Sequence, residues 1–202
     1  EDGIRDVERS RGLGDVYKRQ IIKINWDWLS NSNLDLPKIT FDSVIIIPKP
    51  SNLDENGYRD GFISSLKNIT NSLQNTDIKS VIAISSTRVY GDHQLGYIDE
   101  ATLTEPSDFR GNLIKEYELT LNEFFPAHLN ILRFTGLYID SSKHSSHNRL
   151  NRNTAAKIIS FAINNLSQNK ENNIYNCSED CEILASVKSV SNKKLKAAGF
   201  IF

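Results

Sequence analysis

The sequence predicts an α/β protein in which a parallel β-sheet carries helices on both faces. Two observations lead to this fold class. Short runs of branched aliphatic residues alternate along the chain with segments whose apolar residues recur every three or four positions. The distance from one apolar run to the next leaves room for the crossover helix that parallel strands require. With 202 residues, the chain has the length of one globular domain.

Five apolar runs mark the predicted strands. The run over 43–48 is continuously apolar until Pro48 stops it, which is typical of a strand buried on both faces of a sheet. The run over 80–85 has the same character and ends in serines. In chain order, we predict strands over 21–25, 43–48, 80–85, 130–134 and 173–176.

Helices are predicted between these strands from the spacing of apolar residues. The segment over 55–74 places its apolar residues on one helical stripe, at Tyr58, Phe62, Leu66, Ile69 and Leu73. Similar stripes predict helices over 111–125 and 154–166. We expect a last short helix to be capped by Ser191 and closed by Gly199.

The first twenty residues differ from the rest of the chain. They contain five acidic and five basic residues and no asparagine, although asparagine is frequent from Asn25 onward. One interpretation is a charged, partly helical arm. The alternative, which we favour, is that residues 1–20 are a non-native tag, since they resemble a translated sequencing adapter. Residues 21–202 would then form the domain.

The charge balance excludes some function classes. The chain has 24 basic and 25 acidic residues, so its net charge is −1, whereas general nucleic-acid or membrane-surface binders carry a basic excess. No apolar run approaches the ~18–20 residues of a membrane span, and no signal peptide is visible. We therefore expect a cytoplasmic protein with neither nucleic acid nor membrane as partner. Two cysteines without a histidine pair at zinc spacing predict no metal site.

One motif stands out at the end of a predicted strand. Residues 85–92 read SSTRVYGD, acidic residues and Glu105-Pro106 follow, and residues 131–134 lead into Gly136-Leu137-Tyr138. This order resembles the extended short-chain dehydrogenase/reductases, the NAD-dependent epimerase/dehydratase family, and within it a divergent bacterial branch without the usual catalytic tyrosine. The resemblance implies a Rossmann-like fold, NAD or NADP as cofactor, a small hydroxyl or keto substrate, and a homodimer through the helices over 55–74 and 111–125.

The resemblance also implies roles for individual residues. Ser86 takes the position of the catalytic serine or threonine, which polarises the substrate oxygen. The residues implied at the cofactor are Pro48, Ser85 and Thr135, and those implied at the substrate are Thr87, Arg110 and Arg149. Each has a plainer alternative, because hydroxyl residues also cap strand ends and arginines are common at solvated helix starts and loops. Residues 136–202 would form a small substrate-side region.

Two parts of the family's machinery are missing from this sequence. Arg110 and Ile114 stand where the family has the tyrosine and lysine of its Tyr-x-x-x-Lys pair. No Gly-rich turn that cradles pyrophosphate follows a strand, since Gly12 and Gly14 lie in the first twenty residues. We therefore expect a Rossmann-like domain that lacks its first βαβ unit and binds NAD(P) weakly or not at all. The leading function is an oxidoreductase or epimerase; the alternative is a non-catalytic dinucleotide-binding sensor or partner-binding module.

Overall fold

The computed structural model describes residues 23–30, 34–140 and 147–202. Their strands are β1 (Val44–Ile46), β2 (Val81–Ser86), β3 (Gly96–Ile98), β4 (Leu129–Phe134), β5 (Gly136–Tyr138), β6 (Arg149–Asn151), β7 (Asn173–Cys177) and β8 (Lys188–Val190). Four of them form the main sheet in the order β1-β2-β4-β7, with every neighbouring pair parallel. Two small parallel pairs, β3-β8 and β5-β6, lie outside it.

The helices between strands of the main sheet form its crossovers, and the last helix follows the last described strand. They are α1 (Glu55–Arg59), a π-helical segment (Asp60–Ser64) that continues into α2 (Ser65–Leu73), a 3-10 turn (Thr87–Tyr90), α3 (Phe109–Phe124), α4 (Arg152–Phe161) with a π-helical end (Ala162–Leu166), and α5 (Lys193–Ala197). Gly199 ends α5 with a φ of 104°, a conformation that favours glycine. The cap residue before α5 is Asn192, while the expected Ser191 accepts a hydrogen bond from the Lys193 N–H at 3.3 Å.

Two hydrophobic cores lie on opposite faces of the main sheet. On one face, strand residues such as Ile46, Ala83 and Ile131 pack against the first three helices. On the other, Ile82 and Leu132 pack against α4 and α5. Strand residues alternate between the two faces, as neighbours in a strand must. The prediction of a parallel sheet with helices on both faces is therefore confirmed.

The predicted strand over 21–25 is wrong for its described part, since Lys23, Ile24 and Asn25 form no strand; residues 21 and 22 lie outside the described residues. All three side chains are exposed, so the segment has no sheet neighbour that would favour extended pairing. The other four predicted strands are present, each within two residues of its expected bounds. The prediction missed β3, β5, β6 and β8, which are three residues long and contain no apolar run.

Strand β1 forms an open edge of the main sheet. The Val44 N–H donates to the Ser80 carbonyl at 2.9 Å, so Val44 faces β2 while the backbone of Ile45 faces away. Within the described part of the chain, no strand pairs with that outer side. Ile45 is 39% and Ile47 59% exposed. An apolar groove of about 520 Å³ runs along this edge, and its lining includes Trp26, Trp28 and Phe41.

No helix among the described residues has both the length and the apolar character needed to cross a membrane.

Candidate cofactor and substrate site

The candidate site lies where the parallel strands end. Ser86 ends β2 and is in register with Phe134 at the end of β4, which is in register with Cys177 at the end of β7. The loop after β1 leaves the sheet at the same edge, because β1 runs parallel to β2. In open α/β sheets, ligands bind at the carboxyl ends of the strands. The fold therefore brings Pro48, Ser86 and Thr135 to one edge.

Ser86 is half-buried and caps the 3-10 turn that follows β2. Its Oγ accepts a hydrogen bond from the Arg88 N–H at 3.2 Å. Among the described residues, the Ser86 hydroxyl donates to no protein acceptor, so its proton remains available to an oxygen atom of a ligand. A hydroxyl whose oxygen accepts one hydrogen bond is held in place. If its proton is free, it can donate to a carbonyl or hydroxyl oxygen and polarise it.

The hydroxyls of Ser85, Thr87 and Thr135 are buried and bonded within the protein. Ser85 Oγ donates to Glu118 Oε1 at 2.5 Å, and Thr135 Oγ1 donates to the Cys177 carbonyl at 3.2 Å. Thr87 Oγ1 lies 3.5 Å from the Phe134 carbonyl oxygen. Because their hydroxyls are bonded within the protein, these three residues contribute mainly their backbone to the surface at the edge of the sheet. Pro48 follows β1 and is half-buried.

Arg110 connects the start of α3 with the loop after β1. Its guanidinium lies 5.6 Å from the Tyr58 ring centroid and 5.5 Å from that of Phe109, and Nη2 lies 3.5 Å from the Leu53 carbonyl oxygen. The Arg110 Nε atom is buried without a hydrogen-bond partner among the described residues. An arginine here can attract a phosphate or carboxylate, but it cannot serve as a proton donor near neutral pH.

Helix α3 carries no tyrosine–lysine pair that faces this edge. Ile114 is buried in the core, and the Lys115 ammonium donates to the Thr104 carbonyl at 2.8 Å. Tyr117 is completely buried, and burial raises the pKa of its phenol far above the ordinary value. A buried phenol of this kind cannot exchange protons with a ligand.

Arg149 belongs to a separate cluster on the small β5-β6 pair. Its Nε lies 3.4 Å from Glu179 Oε2, and its guanidinium lies 5.4 Å from the Tyr138 ring centroid. Glu179 also accepts hydrogen bonds from the Tyr138 hydroxyl at 2.7 Å and the Asn151 N–H at 3.1 Å. Sequence reasoning did not select Glu179, whose only signal is its place just after a predicted strand. Among the described residues, no hydrogen bond or ion pair joins this cluster directly to Ser86.

A buried polar network, also missed from the sequence, lies one residue below the edge of the sheet. It joins Glu118 of α3, Arg133 of β4, Tyr90 of the 3-10 turn and Asn176 of β7. Burial raises the pKa of Tyr90, and Arg133 only partly offsets this. The available signal was the charge of Arg133 inside an apolar strand, since a buried arginine requires a carboxylate partner.

The described residues contain no group of three or more metal-ligating side chains. Cys177 is buried and Cys181 half-buried, and both are free thiols.

Asp108 fixes the start of α3 and gives a test of this local geometry. Its Oδ1 accepts the Gly111 N–H at 2.8 Å, and its Oδ2 lies 2.6 Å from Arg88 Nη1. Burial opposes ionisation, but these two contacts outweigh it and hold the pKa of Asp108 below its ordinary value of 3.8. We expect Asp108→Ala to lower the free energy of unfolding by about 1 kcal/mol at neutral pH, the usual contribution of a helix cap.

Because this pKa is lowered by folding, the stabilising effect is present above pH 3.8 and is lost as the pH falls through the folded-state value. Urea unfolding at several pH values measures it. Asp108→Asn is the control, since an amide still caps the helix and should remain near wild-type stability at pH 7. An equal loss in both variants would contradict the cap assignment.

The comparisons with known proteins concern the fold. No protein-family model matches the sequence, and no curated protein matches it significantly. Solved structures do match. They include sugar-nucleotide epimerases and one protein whose assignment as an epimerase/dehydratase is provisional. The chain has a mixed α/β fold with a parallel sheet, and these structural neighbours have the Rossmann fold.

Three structures illustrate the match. UDP-N-acetylglucosamine 4-epimerase from Bacillus cereus has a TM-score of 0.63 and 17% identity, over 79% of this chain and 71% of the epimerase. UDP-glucuronic acid 4-epimerase from Bacillus cereus, solved in complex with NAD, has a TM-score of 0.61 and 13% identity, over 76% and 63%. A Methylobacillus flagellatus protein provisionally assigned as an NAD-dependent epimerase/dehydratase has a TM-score of 0.59 and 22% identity, over 73% and 67%. The chain thus spans 63% to 71% of these proteins.

Proposed function

We propose that this chain carries part of the site of an NAD(P)-binding oxidoreductase or epimerase of the extended short-chain dehydrogenase/reductase family. The observation that carries the proposal is the Ser86 hydroxyl, which lies half-buried at the end of β2 and whose proton has no acceptor among the described residues. The matched epimerases include one solved with NAD, which supports NAD as the cofactor. A cytoplasmic location, a small hydroxyl or keto substrate and a homodimer belong to the same proposal.

In this proposal each residue at the edge has a limited role. Ser86 donates a hydrogen bond to the substrate oxygen and stabilises the charge that develops there. Arg110, held between two aromatic rings, attracts an anionic group near the loop after β1. Pro48, Ser85 and Thr135 form the floor on the cofactor side, and Thr87 and Arg149 lie toward the substrate. The bound dinucleotide would supply hydride transfer.

The described residues could contact only one half of a bound dinucleotide. The end of β2 offers a hydroxyl and the start of α3 a guanidinium, but the described residues include no Gly-rich turn after a strand to hold the pyrophosphate. We infer that a preceding βαβ unit pairs with the open edge of β1 and supplies this turn. Sequencing the native gene across its 5′ end tests the inference. A gene that begins with residues 1–20 would contradict it.

A titration followed by NMR tests the proposed site on this chain. Millimolar NAD or NADP added to the ¹⁵N-labelled protein should shift the amide signals of residues 47, 49, 51, 52, 85–88 and 135 without saturation. Ser86→Ala should reduce the shifts at 85–88, whereas Ser160→Ala, an exposed serine on α4, should leave them unchanged. Absent shifts at this edge, or shifts only elsewhere, would overturn the proposal. A submillimolar calorimetric Kd would instead show that no preceding unit is needed.

A second candidate function is a non-catalytic dinucleotide-binding module. The observation that favours it is the absence of a tyrosine–lysine pair on the described α3, where Arg110 and the buried Ile114 take those positions. This candidate expects NAD(P) binding without turnover of any hydroxyl substrate, and unchanged binding after Ser86→Ala. Turnover that Ser86→Ala abolishes would exclude it.

A further inference from the structure

A row of polar side chains crosses the main sheet just below the candidate site. Ser85, Arg133 and Asn176 are in register on β2, β4 and β7, so their side chains share one face. The row beneath them on that face is apolar and consists of Ala83, Ile131 and Ile174. Each polar residue lies one position before the last residue of its strand. The polar row therefore separates the hydrophobic core from the edge of the sheet.

Glu118 joins this row from the helix above it. Its side chain and that of Arg133 are almost completely buried, at 6% and 4% exposure. Arg133 makes a two-pronged contact, with Nε 2.9 Å from Glu118 Oε1 and Nη2 2.6 Å from Oε2. Burial alone would lower the pKa of Arg133, but the hydrogen bonds and charge of Glu118 outweigh burial and raise it. Arg133 therefore stays charged and the pair is fixed in one geometry.

The ion pair is tied to both ends of the segment that carries Ser86. At the near end, Ser85 Oγ donates to Glu118 Oε1 at 2.5 Å. At the far end, Arg133 Nη1 donates to the Tyr90 hydroxyl at 2.8 Å, and that hydroxyl donates to Asn176 Oδ1 at 2.9 Å. Ser86 and its 3-10 turn lie between these two attachment points.

We propose that Glu118 and Arg133 are positioning residues for Ser86. They hold Ser85 and Tyr90, and thereby fix the turn that sets the direction of the Ser86 hydroxyl. This inference rests on the proposed function and changes the part that Ser85 plays in it: the Ser85 hydroxyl acts through Glu118 and does not touch the cofactor.

A purely structural role makes a different prediction. If the network only fills the core, loss of the Ser85 hydroxyl affects the whole molecule, as loss of any buried hydrogen bond does. If the network positions Ser86, the effect concentrates in residues 87–91. Ser65, the first residue of α2, offers a matched control, because it is a buried serine whose Oγ donates to the Gly61 carbonyl at 2.7 Å.

Hydrogen exchange of backbone amides, without cofactor, distinguishes the two roles. We expect Ser85→Ala to accelerate exchange of residues 87–91 about tenfold beyond any change in β4 and β7. Ser85→Thr, which keeps the hydroxyl, should restore wild-type exchange. Ser65→Ala should change the exchange rates of residues 87–91 no more than those of β4 and β7. Equal acceleration by Ser85→Ala and Ser65→Ala, or no acceleration by Ser85→Ala, would overturn the positioning role.

The same variants in the NAD titration separate the inference from the proposed function. We expect Ser85→Ala to show fast amide exchange over residues 87–91 and smaller NAD-induced shifts at Ser86. Ser85→Thr should restore the wild-type shifts. NAD-induced shifts at Ser86 that Ser85→Ala leaves intact would overturn the inference while leaving the proposed function in place. If wild-type protein shows no shifts at this edge, the proposed function fails, and the inference that depends on it fails with it.

Discussion

Replacing Arg133 with methionine is expected to lower the free energy of unfolding by about 3–5 kcal/mol, because it leaves the buried Glu118 carboxylate without its charged partner. The substitution also removes the Arg133 donor to the Tyr90 hydroxyl, so a second buried group loses a hydrogen bond. This is one of the two largest effects expected of a single substitution here. Chemical denaturation of the purified protein measures it directly.

Two further variants separate charge from packing. In Glu118→Leu/Arg133→Met, no buried charge remains, so most of the lost stability should return, since apolar groups often replace buried ion pairs at little cost. Arg59→Met removes an exposed arginine that lies 3.5 Å from Glu116, and it should change stability by less than about 1 kcal/mol. A double variant as unstable as the single one would show that packing, and not the unpaired charge, causes the loss.

Gly91→Ala is expected to destabilise the protein by about 3 kcal/mol or more, for two reasons that add. Gly91 has a φ of 75° and a ψ of 173°, a region essentially restricted to glycine, which costs about 1–3 kcal/mol for a residue with a Cβ. An added Cβ would also collide with the Glu105 carbonyl oxygen and lie 2.8 Å from Ser107 Oγ, and overpacking of this kind costs about 1–3 kcal/mol. Gly91 directly follows the 3-10 turn, so the same collision would displace the segment after Ser86.

Gly96 provides the control because its φ is positive by nearly the same amount, without the crowding. Its φ is 77°, and a Cβ added there would meet nothing within 4 Å. Gly96→Ala should therefore lower the free energy of unfolding only by the cost of a positive φ, about 1–2 kcal/mol. Thermal or urea unfolding of both variants gives the difference. Equal losses would mean that the loop around Glu105 moves aside without cost.

The sequence predicted most of the main sheet because its strands are long apolar runs. Residues 43–48 and 80–85 needed no knowledge of their partners, and the stripe from Tyr58 to Leu73 identified the helical face that packs on the sheet. The short strands β3 and β8 were not predictable in the same way. Each has only three residues, and they pair across about ninety positions of the chain, so only the tertiary structure brings them together.

The candidate site was predictable in position but not in side-chain detail. Strand ends follow from the apolar pattern, and Ser86 and Thr135 lie at the ends of two parallel strands, which meet at one edge of the sheet. Which hydroxyls turn inward depends on partners that lie far away in the chain. Ser85 bonds to Glu118, 33 positions later, and periodicity alone identifies Glu118 only as one more polar residue of a helix.

The open edge of β1 gives the two halves of the candidate site different local stabilities. Strands β2 and β4 each have hydrogen-bonded neighbours on both sides, whereas β1 pairs with one strand only among the described residues. Opening of β1 and its following loop is therefore expected at a lower free energy than global unfolding. Arg110 would then lose its contact at Leu53 while Ser86 and the Glu118–Arg133 pair stay in place. In this chain, the Ser86 side of the candidate site is therefore expected to open less often than the β1 side.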